Sequence, residues 1–600
     1  MTDNDRSDAE PGFPYTRRDA LAVLTTGLLG LRASGTAAAD HDASHEHDED
    51  APSLTRLATM AAGSEVTGLF ITRHGDLFVN QQDPSDDNPA PFDRGAVGVV
   101  DGLDTRELPE EFPSQPVPEG AERRRVQTAR GDYRVLANGG DPVTNGTDGE
   151  RLGVAYSVDG DPMTTGQDAD FNGFVPGDDP DTGYLFTNYE SKPGMVSRLT
   201  LRRRDGRWRV VASRNLGFRA GDVQGTWHNC FGTVSPWGTP LSAEEYDSYA
   251  AAWYQSAEAR EAAGYDDPEI YRAYLGYWGN PYRYGYVVEV EQPTSDNPTP
   301  KKRYAMGSCA PENAVVMPDE RTVYFGDDGS GTTFYKFVAD EPRDLTSGTL
   351  SAAKAIQEPG RDAASVGFAL EWIELAHGHE KQVESWVAEY DRQEPGPTAD
   401  YVTPAEVAAW AAGDAPDDRA AFLETRLAAT MTGATAEFNK MEGVNVRPDA
   451  EPGDYLYVAM STIEDTMSDD AGDIRVSENG DGIVYRLQLD EHFDVDWMEP
   501  AVVGGPDANV CGGCPYDASP AAGSEVCRDC AYNPGNADDG DGLLGTDPLT
   551  TDSTAVDRRN AISHPDNVVV MADGRVLIGE DNGHQNDMLW VYNPGRDVDG

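Results

Sequence analysis

The sequence predicts an all-β protein of β-propeller architecture, and three observations support that class. Short runs of alternating or β-branched residues recur from Val66 onward between turn-rich segments. They come as hairpins: an apolar strand, a turn such as Met571-Ala572-Asp573-Gly574-Arg575, and a second strand ending in small or acidic residues. Carboxylates stand repeatedly at those strand ends, where propeller blades converge on a central channel. A sandwich is the alternative, and the placing of the acids favours the propeller.

The chain opens on an export signal. Tyr15-Thr16-Arg17-Arg18-Asp19 precedes an apolar run from Ala20 to Leu31 and then Ala37-Ala38-Ala39, the layout of a twin-arginine signal peptide over residues 1–39. The apolar run is too short to span a bilayer as a stable helix. The expected partner is the twin-arginine export machinery and the expected location is extracellular or cell-surface. That route carries folded proteins, so a metal centre can be loaded before exit. Residues 40–60 read as an acidic linker with His41, His45 and His47 among the acids, and residues 61–600 as the propeller domain.

Within that domain the strands follow in order. Val66–Ile71 and Gly75–Val79 come first, then Tyr184–Thr187, Tyr284–Val290, Val323–Gly326 and Tyr455–Ala459, and last Val568–Val570 with Val576–Gly579. Three insertions interrupt them. Residues 242–275 are rich in Ala, Glu and Tyr at helical spacing, and about 360–430 carries apolar residues at the same spacing, as in Trp386-Val387 and Ala420–Leu423. The third, about 505–555, holds Cys511-Gly512-Gly513-Cys514 and Cys527-Arg528-Asp529-Cys530. Two such knuckles suit a structural zinc held by Cys511, Cys514, Cys527 and Cys530, or two disulfides. The Asp- and Gly-rich loop Asn536–Asp547 reads as a solvated loop, with calcium binding the less favoured reading. The chain ends on a strand, Val591–Tyr592, with little after it. Either the chain is a fragment or strands near Val66–Val79 close the last blade.

Acidic residues number 106 against 47 basic ones, a formal charge of −59 spread over nearly the whole length. Such a surface holds water and cations when salt screens repulsion, as a halophile's does, and it excludes DNA and anionic membranes as partners. Serine-hydrolase and kinase chemistry find no Ser-His-Asp signature or nucleotide-binding glycine loop.

The segment that carries chemistry is Gly225-Thr226-Trp227-His228-Asn229-Cys230, followed by Ser235-Pro236-Trp237-Gly238-Thr239 and Glu244-Glu245. A cysteine beside Asn229 and Gly232, rather than inside an apolar strand, suits metal ligation better than packing. Further acids sit in unusual sequence: Glu312 after Pro311, Glu442 in Lys440-Met441-Glu442-Gly443, Asp566 in Pro565-Asp566-Asn567, and Asp581. At equivalent positions in successive blades they would converge, and converging carboxylates repel unless cations neutralise them. Several hard metal ions are therefore expected.

These segments, with Val323–Asp328, Tyr335-Lys336-Phe337 and Gly433-Ala434-Thr435 leading to Glu442, resemble in order the motifs of the PhoX-type alkaline phosphatases. The resemblance implies a six-bladed propeller, to which this chain adds its helical loop insertions and small four-cysteine insertion, together with twin-arginine export and an iron–calcium cofactor that hydrolyses phosphate monoesters. It implies a thiolate ligand to iron in Cys230 and carboxylate ligands in Glu245, Glu312, Glu442 and Asp566. Lys440 falls where the family has an arginine, Ala243 where it often has a second cysteine, and Pro311 where it often has a histidine. The alternatives are a non-catalytic calcium-binding propeller and a calcium-dependent esterase or lactonase. Small phosphate esters are the expected ligands and a monomer the expected state.

Overall fold

The structure, a computed structural model, describes residues 52–219, 223–246, 250–505 and 561–595. The twin-arginine segment, the four cysteines Cys511–Cys530 and the loop Asn536–Asp547 lie outside the described residues. No described helix is long and apolar enough to cross a membrane.

Strands dominate, as the recurrent β-branched runs require. They pair into antiparallel groups of hairpin-connected neighbours, each opening on a strand that we call inner. The inner strands are Glu65–Ile71, Ala169–Pro176, Asn229–Val234, Ala314–Val316, Met441–Val446 and Pro565–Val570. Each touches the next in that order, and the last touches the first, so the contacts run in a closed circle. The fourth and fifth groups are joined edge to edge where Phe368 and Ala369 pair with Met498 and Trp497.

Apolar cores lie between consecutive sheets. Tyr457, Val484 and Val502 meet Val568, Ile578 and Trp590 in one, and Leu57, Leu577 and Leu589 meet Val66, Leu77 and Val79 in the next. The hairpin turn Met571–Arg575 forms as its sequence demands: Gly574 takes φ 88° and donates its N–H to the Met571 carbonyl at 3.0 Å.

Three expectations are corrected. The strand that closes the last sheet is Ser53–Thr59, paired antiparallel with Met588–Asn593. Val66–Val79 instead forms the first hairpin of its own sheet. Ser53–Thr59 therefore belongs to the folded domain and not to an acidic linker; its Leu57 and Ala58 are buried. The 242–275 insertion begins as the strand Pro240–Glu244, and its described helices are Ala250–Trp253, Ala257–Ala263 and Asp267–Leu275. The 360–430 insertion likewise opens with the twelve-residue strand Phe368–His379, because its partner Asp344–Gln357 offers a free ladder edge. Helices Glu380–Ala388, Pro404–Ala411, Arg419–Leu423 and Thr425–Thr432 follow.

Candidate metal centre

Five inner strands carry one acid or thiol each, Glu65, Asp170, Cys230, Glu442 and Asp566, and Glu312 stands two residues ahead of the sixth. Four of these sit inside a β-bulge. Register shifts between Ala169 and Asn172, Asn229 and Gly232, Met441 and Val444, and Pro565 and Val568 enclose Asp170, Cys230, Glu442 and Asp566. A bulge bends the strand and re-aims the side chain it carries. Cys230, Glu442 and Asp566 thus lie within strands, which corrects the expectation that Cys230 stands outside an apolar strand.

A second tier stands just past the second strand of five of the six hairpins. The N–H groups of Glu190, Glu245, Asp328, Ser461 and Asp581 donate to the carbonyls of Asp168, His228, Ala310, Lys440 and His564 at 2.9–3.1 Å. Each acceptor lies two residues before the acid or thiol of its own inner strand, so the five bonds are equivalent. His228, Lys440 and His564 adopt positive φ there, a conformation that surrounding contacts must hold. Glu190, Glu245, Asp328 and Asp581 consequently form a tier of four carboxylates, with Ser461 in the fifth place.

The backbones approach closely. A Cβ on Gly443 would lie 2.7 Å from the Asp566 carbonyl oxygen, and one on Gly68 would lie 2.3 Å from that of Asp170. Asparagine side chains bridge the gaps: Asn172 Nδ2 donates to the Gly68 carbonyl at 2.9 Å, and Asn313 Nδ2 to that of Val444 at 2.8 Å.

Three of the five predicted ligands share one cluster, and Glu442 and Asp566 fall in no such group. Ligand atoms of Cys230, Glu245 and Glu312 lie within 4.8 Å of one another, as do those of Asp170, Glu190 and Cys230, and of Glu190, His228 and Glu245. Cys230 Sγ donates to Glu245 Oε2 at 3.0 Å, and the Phe231 N–H to Glu312 Oε1 at 3.2 Å. Ser461 Oγ donates to Glu442 Oε1 at 2.7 Å. Glu244, next to Glu245, turns away. It is fully buried, pairs with Lys302 Nζ at 2.8 Å, and accepts the N–H groups of Trp227 and Tyr286 at 3.1 Å each.

Burial and mutual repulsion push seven of these acids above the usual carboxylate range. Glu442 rises to about 8, through desolvation first and then the charge of Asp328. Glu190 rises to about 7, through desolvation and then the charges of Asp581 and Asp83. Glu65, Asp170, Glu245, Glu312 and Asp566 rise for the same two reasons, and burial raises the Cys230 thiol. Asp328 is the exception. Burial would raise it, but the Lys440 ammonium at 2.8 Å and hydrogen bonds bring it below the usual range. Burial, with Lys192 nearby, lowers His228 to about 3, so its imidazole is neutral.

Buried carboxylate oxygens Asp170 Oδ1, Asp328 Oδ1 and Asp566 Oδ1 have no hydrogen-bond partner. Buried anionic oxygens stay unpaired only at a high free-energy cost, and hard cations are the partners such oxygens accept. The donor set, carboxylates with one thiolate and one neutral imidazole, fits several metal ions including one that tolerates sulfur.

A family model described as alkaline phosphatase PhoX matches residues 207–510, half of the 600-residue chain. The chain belongs to the PhoX family. The PhoX match covers Cys230, Glu245, Glu312, Asp328, Lys440 and Glu442; Glu65, Asp170, Glu190, Asp566 and Asp581 lie outside it. Among solved structures, PhoX of Pseudomonas fluorescens in complex with vanadate, a transition state analogue, is 20% identical with a TM-score of 0.46, over 71% of this chain and 78% of that one. A Thermus thermophilus protein named as an oxidoreductase (glucose dehydrogenase) is 10% identical with a TM-score of 0.26, over 75% and 99%. A Bacteroides uniformis protein named as a 6-phosphogluconolactonase is 9% identical with a TM-score of 0.22, over 75% and 84%. A comparison with curated proteins finds no match.

Several participants escaped the sequence reading. Glu65, Asp170, Glu190 and Asp328 were not selected, although each occupies a place equivalent to a selected acid. Aligning the hairpins on one another would have found them. A second buried free thiol, Cys309, stands ahead of Glu312 and also went unselected.

Proposed function

We propose that this chain is an exported phosphatase that hydrolyses phosphate monoesters at an iron–calcium cluster inside a six-bladed propeller. The observation that carries the reading is the two-tier convergence of acids, with buried carboxylate oxygens that lack any partner. Membership of the PhoX family supports phosphoester hydrolysis as the chemistry. The closed circle of six inner strands supports the blade count.

Cys230, Glu245, Glu312, Glu442 and Asp566 would hold the metals, joined by Asp170, Glu190 and Asp328. Bound there, the cations would supply Lewis acidity toward phosphoryl oxygens and offset the negative charge of the transition state. The chain's own contribution is arrangement. Bulges fix the ligand directions, and the packed inner strands keep the first tier out of bulk water, which strengthens its electrostatic interactions. Lys440, with its side chain 37% exposed and its Nζ 2.8 Å from Asp328 and 3.8 Å from Glu442, is a cation able to face a phosphate. A lysine there offers one point charge where an arginine would offer a bidentate fork.

Export rests on the twin-arginine pattern of residues 1–39, and a structural zinc on Cys511, Cys514, Cys527 and Cys530. The deciding experiment is elemental analysis of protein matured through its own export pathway, paired with turnover of an aryl phosphate. Iron and calcium with turnover are expected. Calcium without iron, or stoichiometric metal without turnover, refutes the proposal.

A further inference from the structure

The helical part of the 360–430 insertion reaches the centre through Arg426, on helix Thr425–Thr432. Arg426 Nε lies 2.8 and 2.7 Å from the two Asp327 carboxylate oxygens, and Nη2 lies 2.6 Å from Oδ1. Nη2 also donates to the Asp328 carbonyl. Asp327 is fully buried, and the Arg426 side chain is 11% exposed. A planar guanidinium grips both oxygens of a carboxylate in a fixed fork and still reaches a neighbouring carbonyl; an ammonium offers no such fork.

The turn it grips, Asp327-Asp328-Gly329, also makes contacts that lead to the centre. Asp327 Oδ1 accepts the Ala310 N–H at 2.8 Å, and the Ala310 carbonyl accepts the Asp328 N–H at 2.9 Å, which fixes the segment leading to Glu312. Asp328 Oδ2 accepts Lys440 Nζ at 2.8 Å, and the Gly329 carbonyl accepts the Lys440 N–H at 2.9 Å. Lys440 is thus tied to this turn at both its backbone and its ammonium. Its φ of 48° makes it dependent on such restraint.

We infer that Arg426 is a positioning residue for phosphate binding: through the Asp327–Gly329 turn it sets the place of the Lys440 ammonium, so the helical insertion braces the centre. The inference rests on the proposed reading of Lys440 as the substrate-facing cation.

A double-mutant cycle of Arg426→Lys and Lys440→Met tests it in the full-length, metal-loaded protein. Two readouts are taken: hydrolysis of an aryl phosphate, and calorimetric binding of inorganic phosphate. Arg426→Lys alone is expected to raise KM and the phosphate Kd about tenfold, with kcat within about threefold, the pattern of lost uniform binding. Iron and calcium content should not change. In the Lys440→Met background the same substitution should change either constant less than about twofold, because the group it positions is gone. Equal losses in both backgrounds, or loss of metal in Arg426→Lys, overturn the inference. Asp327→Asn, which keeps the shape and weakens the fork, carries the same expectation should Arg426→Lys not fold. An active wild type with additive losses overturns the role of Arg426 alone. A metal-loaded wild type that neither hydrolyses nor binds phosphate overturns the reading of Lys440 as well.

Discussion

Removing the cations leaves the acids of the centre to repel one another, and the chelated chain should lose stability as pH rises. Glu442 shows the size of the effect. Its carboxyl stands at about 8 in the folded chain against an ordinary 4.5, so across that window the folded state holds a proton that the unfolded state has released. Stability is therefore fully present below pH 4.5, declines from there, and is lost once pH passes about 8. At about 1.4 kcal/mol per pH unit for one proton, Glu442 accounts for roughly 3 kcal/mol between pH 5 and 7.5. Glu190, raised to about 7, acts in the same direction, so a total on the order of 5 kcal/mol is expected from the two. That is a large share of a domain's usual ~5–15 kcal/mol. The assay is urea unfolding of the full-length protein with excess chelator, in concentrated salt at fixed ionic strength, from pH 5 to 8. Salt screens the surface charge of −59 and leaves the buried acids little affected. Glu442→Gln should flatten the slope by about one proton, and added calcium should restore stability at pH 8. A chelated chain equally stable at pH 5 and 8, or an unchanged slope in Glu442→Gln, refutes the reasoning.

Three further outcomes are expected. Lys302→Met strands the Glu244 carboxylate, since both side chains of that pair are fully buried; it should cost about 3–5 kcal/mol by urea unfolding, with part recovered on adding Glu244→Gln. Gly443→Ala places a Cβ 2.7 Å from the Asp566 carbonyl oxygen and 2.9 Å from the Val568 nitrogen, both backbone atoms, so unfolding should show a loss of about 1–3 kcal/mol with reduced metal content. Cys230→Ser should lower iron while calcium remains, by elemental analysis, with turnover down about 100-fold or more; unchanged iron would remove the thiolate from the ligand set.

Much of the site was legible because its residues break local rules. A cysteine in the polar context of His228 and Asn229, or an acid at the head of a Val-rich run such as Asp566 before Val568–Val570, contrasts with its neighbours, and that mismatch is visible in one dimension. Asp170 in Ala169-Asp170-Phe171-Asn172-Gly173 lacks that contrast. Its importance comes from a bulge and from Glu190 facing it. Glu244 and Glu245 show the limit best. Adjacent at the end of the strand Pro240–Glu244, they point to opposite sides, one to Lys302 and one to Cys230, and the alternation of side chains fixes that they differ without saying which faces inward.

The periodicity of the chain determined its strands, its hairpins and the presence of acids at their ends, because strand pairing between sequence neighbours is written in short-range pattern. Its composition determined the character of the surface. Tertiary structure alone decided that Ser53–Thr59 closes the last sheet, that Phe368–His379 extends as strand, and that acids far apart in the chain form two tiers. Those outcomes depend on which ladder edge is free and on how closely backbones approach at the bulges. Both are properties of the closed circle of strands and of no single segment within it.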